Sequence, residues 1–92
     1  MIVGTLRVRL LVRGARSLKD KRQVVQSVKE RLRQSFNVSI AEIEAQDQRQ
    51  QIILGMAMIC NEAHPIKKSF AEIVEALKAH PIAEFVDYES EV

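Results

Sequence analysis

Apolar residues repeat with a period of two in some segments of the chain and of three to four in others. The order of these segments restricts the fold, because the first period predicts a β-strand and the second predicts an amphipathic helix. The chain begins with a strand pattern, in which Leu6 and Val8 share one face and Arg7 and Arg9 share the other. Residues 2–13 are therefore predicted to form a strand with one apolar and one basic face.

A helix is predicted from Ser17 to about Phe36. Ser17 is a typical N-cap residue, and Asp20 stands three positions later, where a capping acid reaches back to the free amides. The predicted buried face consists of apolar residues at helical spacing: Val24, Val25, Val28, Leu32 and Phe36.

Three more strands and a second helix are predicted in the rest of the chain. The strands are residues 38–46, 50–60 and 82–89. The segment 50–60 is apolar on both faces, which is typical of a central strand.

Pro65 suits the first turn of the second helix, with Asn61 or His64 as its cap. His80-Pro81 is expected to end this helix.

The resulting order, βαββαβ, predicts an α+β fold of the ferredoxin-like split β-α-β type. Right-handed crossovers place the first and third strands in the centre of a four-stranded antiparallel sheet, with both helices on one face. A chain of 92 residues fits a single domain, residues 1–92. The other face of the sheet is then open and forms one candidate interface: Arg7, Arg9, Leu11, Ile53, Ala57 and Ile59.

The charge of the chain is divided unevenly along its length. Residues 1–33 hold ten Lys and Arg residues against two acids, a charge of +8, while the remainder carries −6, giving the total of +2. Such asymmetry can mark a surface for polyanions, or the two parts can neutralise each other in the fold.

A row of basic residues, interrupted by Gln26, recurs at intervals of three and four and is predicted opposite the apolar face of the first helix, and the preceding loop adds two arginines. Such a surface can follow a phosphate backbone, or it can simply be solvated. The central strands carry no aromatic residues for base stacking, so RNA would be bound through its phosphates and shape. The nucleic-acid-binding candidates are Arg13, Arg16, Lys19, Arg22, Lys29 and Arg33.

No catalytic, metal or cofactor site is predicted. Cys60, Glu62 and His64 lie close in sequence, but three such ligands fall short of a four-ligand structural site, and Cys60 is expected to be a buried small hydrophobe. Glu42 and Glu44 are predicted on one face of the second strand, where a charged pair discourages edge-to-edge association.

Two further features indicate the cellular compartment of the protein. A single cysteine cannot form an intramolecular disulfide, which fits a reducing environment. No apolar run approaches the ~18 residues of a membrane span. We therefore expect a cytoplasmic protein without a membrane partner.

Three segments carry a resemblance to a known family: Ser17–Arg22, Phe36–Glu42 and Leu54-Gly55. With these segments the chain resembles the YlxP-like family, small bacterial proteins of uncharacterised function. The resemblance implies a ferredoxin-like fold. It also implies RNA or ribosomal subunits as partners, because family genes tend to lie among those for transcription and translation factors. No catalytic residue is established for the family.

Two hypotheses for the function follow. The first is a non-catalytic accessory protein that binds RNA or a ribosomal particle through the basic face of the first helix. The alternative is a protein-interaction or small-ligand regulatory domain that acts as a homo-oligomer, such as a homodimer, through its open sheet face.

Overall fold

The computed structural model describes all 92 residues and contains four strands and two helices. One antiparallel sheet has the strand order β2-β3-β1-β4. This confirms the predicted ferredoxin-like α+β fold with the first and third strands in the centre. The elements are β1 (Ile2–Leu11), α1 (Leu18–Ser35), β2 (Ser39–Glu44), β3 (Gln51–Cys60), α2 (Ala63–Lys78) and β4 (Glu84–Glu91).

The central strands β1 and β3 pair without interruption along their whole lengths, from Ile2 opposite Cys60 to Leu11 opposite Gln51. Val8 lies opposite Leu54, and both side chains are fully buried. The even-numbered residues of both strands pack against the two helices in one core cluster. The odd-numbered residues consequently form the face away from the helices, as predicted.

The start of α1 has the predicted cap. Ser17 Oγ accepts a hydrogen bond from the Asp20 amide at 3.1 Å. The Asp20 carboxylate in turn accepts from the Arg16 amide at 3.0 Å. One free amide of the first turn, that of Asp20, is therefore bound by a side chain of the same segment.

The predicted cap of α2 is wrong. The helix begins at Ala63, and its N-cap residue is Glu62, which makes no side-chain capping bond. Packing positions this helix instead, because α2 lies so close to β1 that a Cβ on Gly4 would be 2.5 Å from Ile66 Cγ2. Tertiary contact thus takes the place of a local start signal.

The last strand begins two residues later than predicted, at Glu84. The reason is a turn built on His80, whose Nδ1 accepts hydrogen bonds from the amides of Ile82 and Ala83 at 3.2 and 3.0 Å. These amides are held by the imidazole and are not free for a sheet ladder.

A β-bulge in β2 separates the two glutamates that were predicted to share a face. Glu42 lies opposite Leu54 and Glu44 lies opposite Ile53, so Ile43 is the extra residue. Glu42 consequently points toward α1 and Glu44 toward the open face, which corrects the prediction of a carboxylate pair.

Side chains bind carbonyl groups of the edge strand β2. Arg33 donates to the carbonyl of Ile40, and Gln46 donates to the carbonyl of Glu42, both at 3.3 Å. Carbonyls that are already bound offer a poor template for another strand.

Neither helix combines the length and the apolar composition that crossing a lipid bilayer requires.

Replacing Ser17 with Ala removes the side-chain cap of α1. We expect the free energy of unfolding to fall by about 0.5–2 kcal/mol, the usual effect of losing a helix cap. Urea denaturation followed by circular dichroism measures this loss. The matched control is Ser39→Ala at an exposed position in β2; equal midpoints for the two variants would contradict the capping role.

The turn at His80 predicts a pH-dependent stability. Burial, together with the positive charge of Arg31, holds the pKa of His80 below its ordinary value of 6.5. The unfolded chain therefore binds the proton more readily, so the free energy of unfolding should decrease as the pH falls through about 6.5. Protonation of Nδ1 would also remove the acceptor of both turn amides.

Urea denaturation between about pH 7.5 and 5.5 tests this dependence. His80→Asn keeps a side-chain acceptor and removes the titration, so it should flatten the pH profile. His64→Asn changes an exposed histidine and should leave the profile as in the wild type. A profile that His80→Asn does not alter would show that another group causes it.

Candidate nucleic-acid interface

A fully buried lysine, Lys21, lies beneath the end of the molecule where the β1–α1 and β2–β3 loops meet. Its ammonium donates to the carbonyls of Ala45 at 2.7 Å and Gln51 at 3.2 Å, with a longer contact to that of Gln46 at 3.5 Å. Its Nζ also lies 2.8 Å from Oε2 of Glu42, a buried oxygen for which it is the sole polar partner. A buried charge is tolerated when it is paired and hydrogen-bonded in this way.

Lys21 was not predicted as a structural residue, although the sequence contains a signal. It stands four positions before Val25 and seven before Val28, so it occupies a place in the apolar face of α1. A lysine at such a position is either at the end of the buried face or bound to buried acceptors. The sequence does not say which of the two applies. In the folded chain the carbonyls near the β2–β3 loop supply the buried acceptors.

The β2–β3 loop is fixed in its position by these contacts. Ala45 has a φ of 59°, in the left-handed region that a residue with a side chain rarely adopts. Its carbonyl is the nearest acceptor of the Lys21 ammonium, at 2.7 Å. Gln50 then joins the two loops, because its side-chain amide donates to the Arg13 carbonyl at 2.9 Å and its own carbonyl accepts from Val12 at 2.8 Å.

The predicted basic residues of α1 form one row on the helix surface: Lys19, Arg22, Lys29 and Arg33. The row follows the flank of α1 beside β2. The prediction that it lies directly opposite the buried face is therefore wrong. Arg33 reaches the Ile40 carbonyl, and Lys29 is half-buried. None of the four side chains has an ion-pair partner.

The two predicted arginines of the β1–α1 loop differ in their surroundings. Arg13 is paired with Glu84 of β4 at 2.6 Å, and this hydrogen bond holds the pKa of Glu84 below its ordinary value. Arg16 is exposed and has no ion-pair partner. Arg16 therefore continues the basic row, and Arg13 is largely neutralised.

The structure adds Arg49 to this surface, a residue that the sequence did not indicate. It lies in the β2–β3 loop, and its Nη1 is 3.5 Å from the Arg16 carbonyl. The two residues are 33 positions apart in the chain, and only the contacts of the two loops bring them together. We refer to Arg16 and Arg49 as the loop corner and to Lys19, Arg22, Lys29 and Arg33 as the basic row.

The arginines on the open sheet face are bound to acids of the neighbouring strands. Arg7 donates to Glu44 of β2 at 2.9 Å, and this bond raises the pKa of Arg7 above its already high value. Arg9 lies 3.9 Å from Asp87 of β4. Glu84, which was considered as a partner of these arginines, pairs with Arg13 instead.

The apolar members of the predicted open-face interface are not equally accessible. Ile53 is only 1% exposed, and it lies opposite Arg9 in the sheet. Leu11 and Ala57 are half-buried, whereas Ile59 is 59% exposed beside its cross-strand neighbour Val3 at 51%. Val3 and Ile59 thus give accessible apolar surface at one end of the face, and Ile43 of β2, 44% exposed beside Gly55, adds a second apolar position.

A shallow trough of about 450 Å³ crosses the middle of the same face. Its floor consists of small residues such as Gly55 and Ala57, and Glu89 and Glu91 of β4 line one side.

Cys60 is half-buried against the core, as its position in β3 predicted, and its thiol donates to Asn61 Oδ1.

Replacing Lys21 with Met leaves Glu42 and three loop carbonyls without their buried cation. We expect a loss of about 3–5 kcal/mol in the free energy of unfolding, the usual cost of breaking a buried ion pair. Urea denaturation measures the loss, with Lys19→Met as the control for an exposed lysine of the same helix. Similar midpoints for the two variants would show that the buried ammonium contributes little.

The double variant Lys21→Met, Glu42→Leu should be more stable than Lys21→Met alone, because it no longer buries an unpaired carboxylate. If the double variant is no more stable than Lys21→Met, the loss of stability comes from the unbound carbonyls alone.

The known proteins that the chain resembles are described as uncharacterised or of unknown function. The chain is 29% identical over 80 residues to the uncharacterised protein YlxP of Bacillus subtilis (strain 168), covering 87% of each protein. A family model described as a protein of unknown function (DUF503) matches residues 3–90. The chain therefore belongs to the DUF503 family of proteins of unknown function.

Proposed function

We propose that this protein is a non-catalytic accessory factor that binds RNA or a ribosomal particle through the basic row and the loop corner. The observation that carries the proposal is that some cations are ion-paired with acids and others are not. Arg7, Arg9 and Arg13 are each paired with an acid of β2 or β4. The exposed cations along α1 have no such partner.

Neither acid of α1, Asp20 or Glu30, forms an ion pair with the basic row. The Asp20 carboxylate is bound to the Arg16 amide as part of the helix cap. Glu30 accepts a hydrogen bond from Gln26 at 3.3 Å. Lys29 and Arg33 moreover repel each other at a spacing of four residues, which costs the helix about 0.2–0.5 kcal/mol. An anionic partner would relieve this repulsion.

A phosphate backbone is the partner that fits an extended row of cations. Lysine and arginine side chains release counterions when they bind phosphates, so the affinity falls steeply as the salt concentration rises. The resemblance to proteins encoded among transcription and translation factors favours RNA as the source of these phosphates. This part of the proposal rests on analogy.

The alternative, an interaction domain that pairs through its open sheet face, has support from the adjacent exposed side chains of Val3 and Ile59. Over the rest of that face less apolar surface is available for pairing, because the arginines are ion-paired and Ile53 is buried.

The test replaces all four residues of the basic row with Gln. Surface substitutions of this kind usually change stability by no more than about 0.5 kcal/mol, so the fold should persist. Binding to purified ribosomal subunits should weaken, and the slope of log K against log salt should fall by roughly one for each lost phosphate contact. Sedimentation with the subunits over a salt series measures both quantities.

The control variant is Lys67→Gln, Lys68→Gln, which removes two exposed cations of α2. If both variants lose the same binding affinity for each charge removed, the effect is due to net charge and not to the basic row. If the row variant is folded and binds the subunits as tightly as the wild type, the RNA proposal for this surface is wrong, and the open sheet face is the surface to study next.

A further inference from the structure

Few aromatic rings lie near the basic row. Proteins that bind single-stranded RNA stack the bases on aromatic side chains. The chain has three Phe, one Tyr and no Trp. Phe70 is buried, Phe85 packs against the core, and Tyr88 lies on β4 beside α2. Phe36 is the one ring beside the row, next to Arg33, and it too packs against the core, so the row offers no series of rings for successive bases.

The row is carried by one continuous helix. Its four residues lie on this 18-residue helix, with Gln26 in the gap between Arg22 and Lys29, and from Lys19 to Arg33 they extend over about 21 Å at 1.5 Å per residue. Cations anchored at set points along a helix complement phosphates that are themselves held at fixed positions. A flexible single strand would first have to be ordered along the row, which costs entropy.

The loop corner lies at the N-terminal end of α1. Arg16 precedes the helix and Arg49 belongs to a different loop, so the two extend the row at its N-terminal end. Buried contacts fix this corner, since Lys21 binds the loop carbonyls and Gln50 joins the two loops. Double-helical RNA presents two phosphate backbones across a wide, shallow minor groove, and a protein recognises it by shape.

We propose that the basic row binds one phosphate backbone of double-helical RNA and that the loop corner binds the backbone across the groove. The protein then prefers double-stranded to single-stranded RNA. This inference rests on the RNA association proposed above and adds to it the class of RNA and a role for Arg49.

The experiment measures binding of the full chain by fluorescence anisotropy over a salt series. The two probes are a mixed-sequence RNA duplex of about 20 base pairs, slightly longer than a typical double-strand-binding site, and an oligouridine of equal length. The duplex should bind at least about tenfold more tightly at each salt concentration. Arg49→Gln should weaken duplex binding severalfold and lower its salt slope by roughly one. Lys67→Gln, an exposed cation on α2, should leave both unchanged.

The outcomes separate the two proposals. If neither probe nor the ribosomal subunits bind, the proposed RNA association is wrong, and this inference with it. If oligouridine binds as tightly as the duplex, RNA association stands and the preference for double-stranded RNA is overturned. If Arg49→Gln binds the duplex with wild-type affinity and salt slope, the role of the loop corner is overturned. Thermal melting of each variant separates a loss of binding from a loss of fold.

Discussion

The arrangement of the loop end of this protein depends on one buried cation. The Lys21 ammonium contacts carbonyls on both sides of the β2–β3 loop and a carboxylate of β2, and none of its surface is exposed. Without these partners a buried ammonium would cost several kcal/mol, so the loop and the helix must be positioned together. The bulge at Ile43 lies beside this arrangement: Glu42 faces α1 in the regular register of β2, and the extra residue turns Glu44 to the other side of the sheet.

Ion pairing then divides the basic residues into two groups. Arg7 and Arg9 on the sheet and Arg13 in the first loop meet acids of β2 and β4, so the acidic half of the chain neutralises part of the basic half. Arg16 and the basic row on α1 have no ion-pair partner, whereas Lys21 on the buried face of the same helix is bound to Glu42. Mutual neutralisation therefore applies to Arg7, Arg9 and Arg13, while a surface for polyanions is what we propose for the unpaired cations.

The residues predicted to share the open sheet face do share it, whereas the basic row lies on the flank of α1 and not opposite its buried face as predicted. Alternation placed Arg9 and Ile53 on the open face, where they do lie opposite each other. It did not predict that Ile53 would be almost fully buried there, because burial depends on which neighbouring side chains cover a residue. The basic row was predicted from helical spacing, whereas Arg49 joined it only through the contact of two loops.

The sequence by itself determined the order of the elements, the central strands and the cap at Ser17. These features depend on the period of apolar residues and on hydrogen bonds within one turn of helix, which are local. Tertiary structure alone decided the burial of Lys21, the bulge at Ile43, the turn on His80 and the start of α2. Each depends on a polar group or a close contact supplied by another part of the chain, and no local pattern specifies which distant group will be within reach.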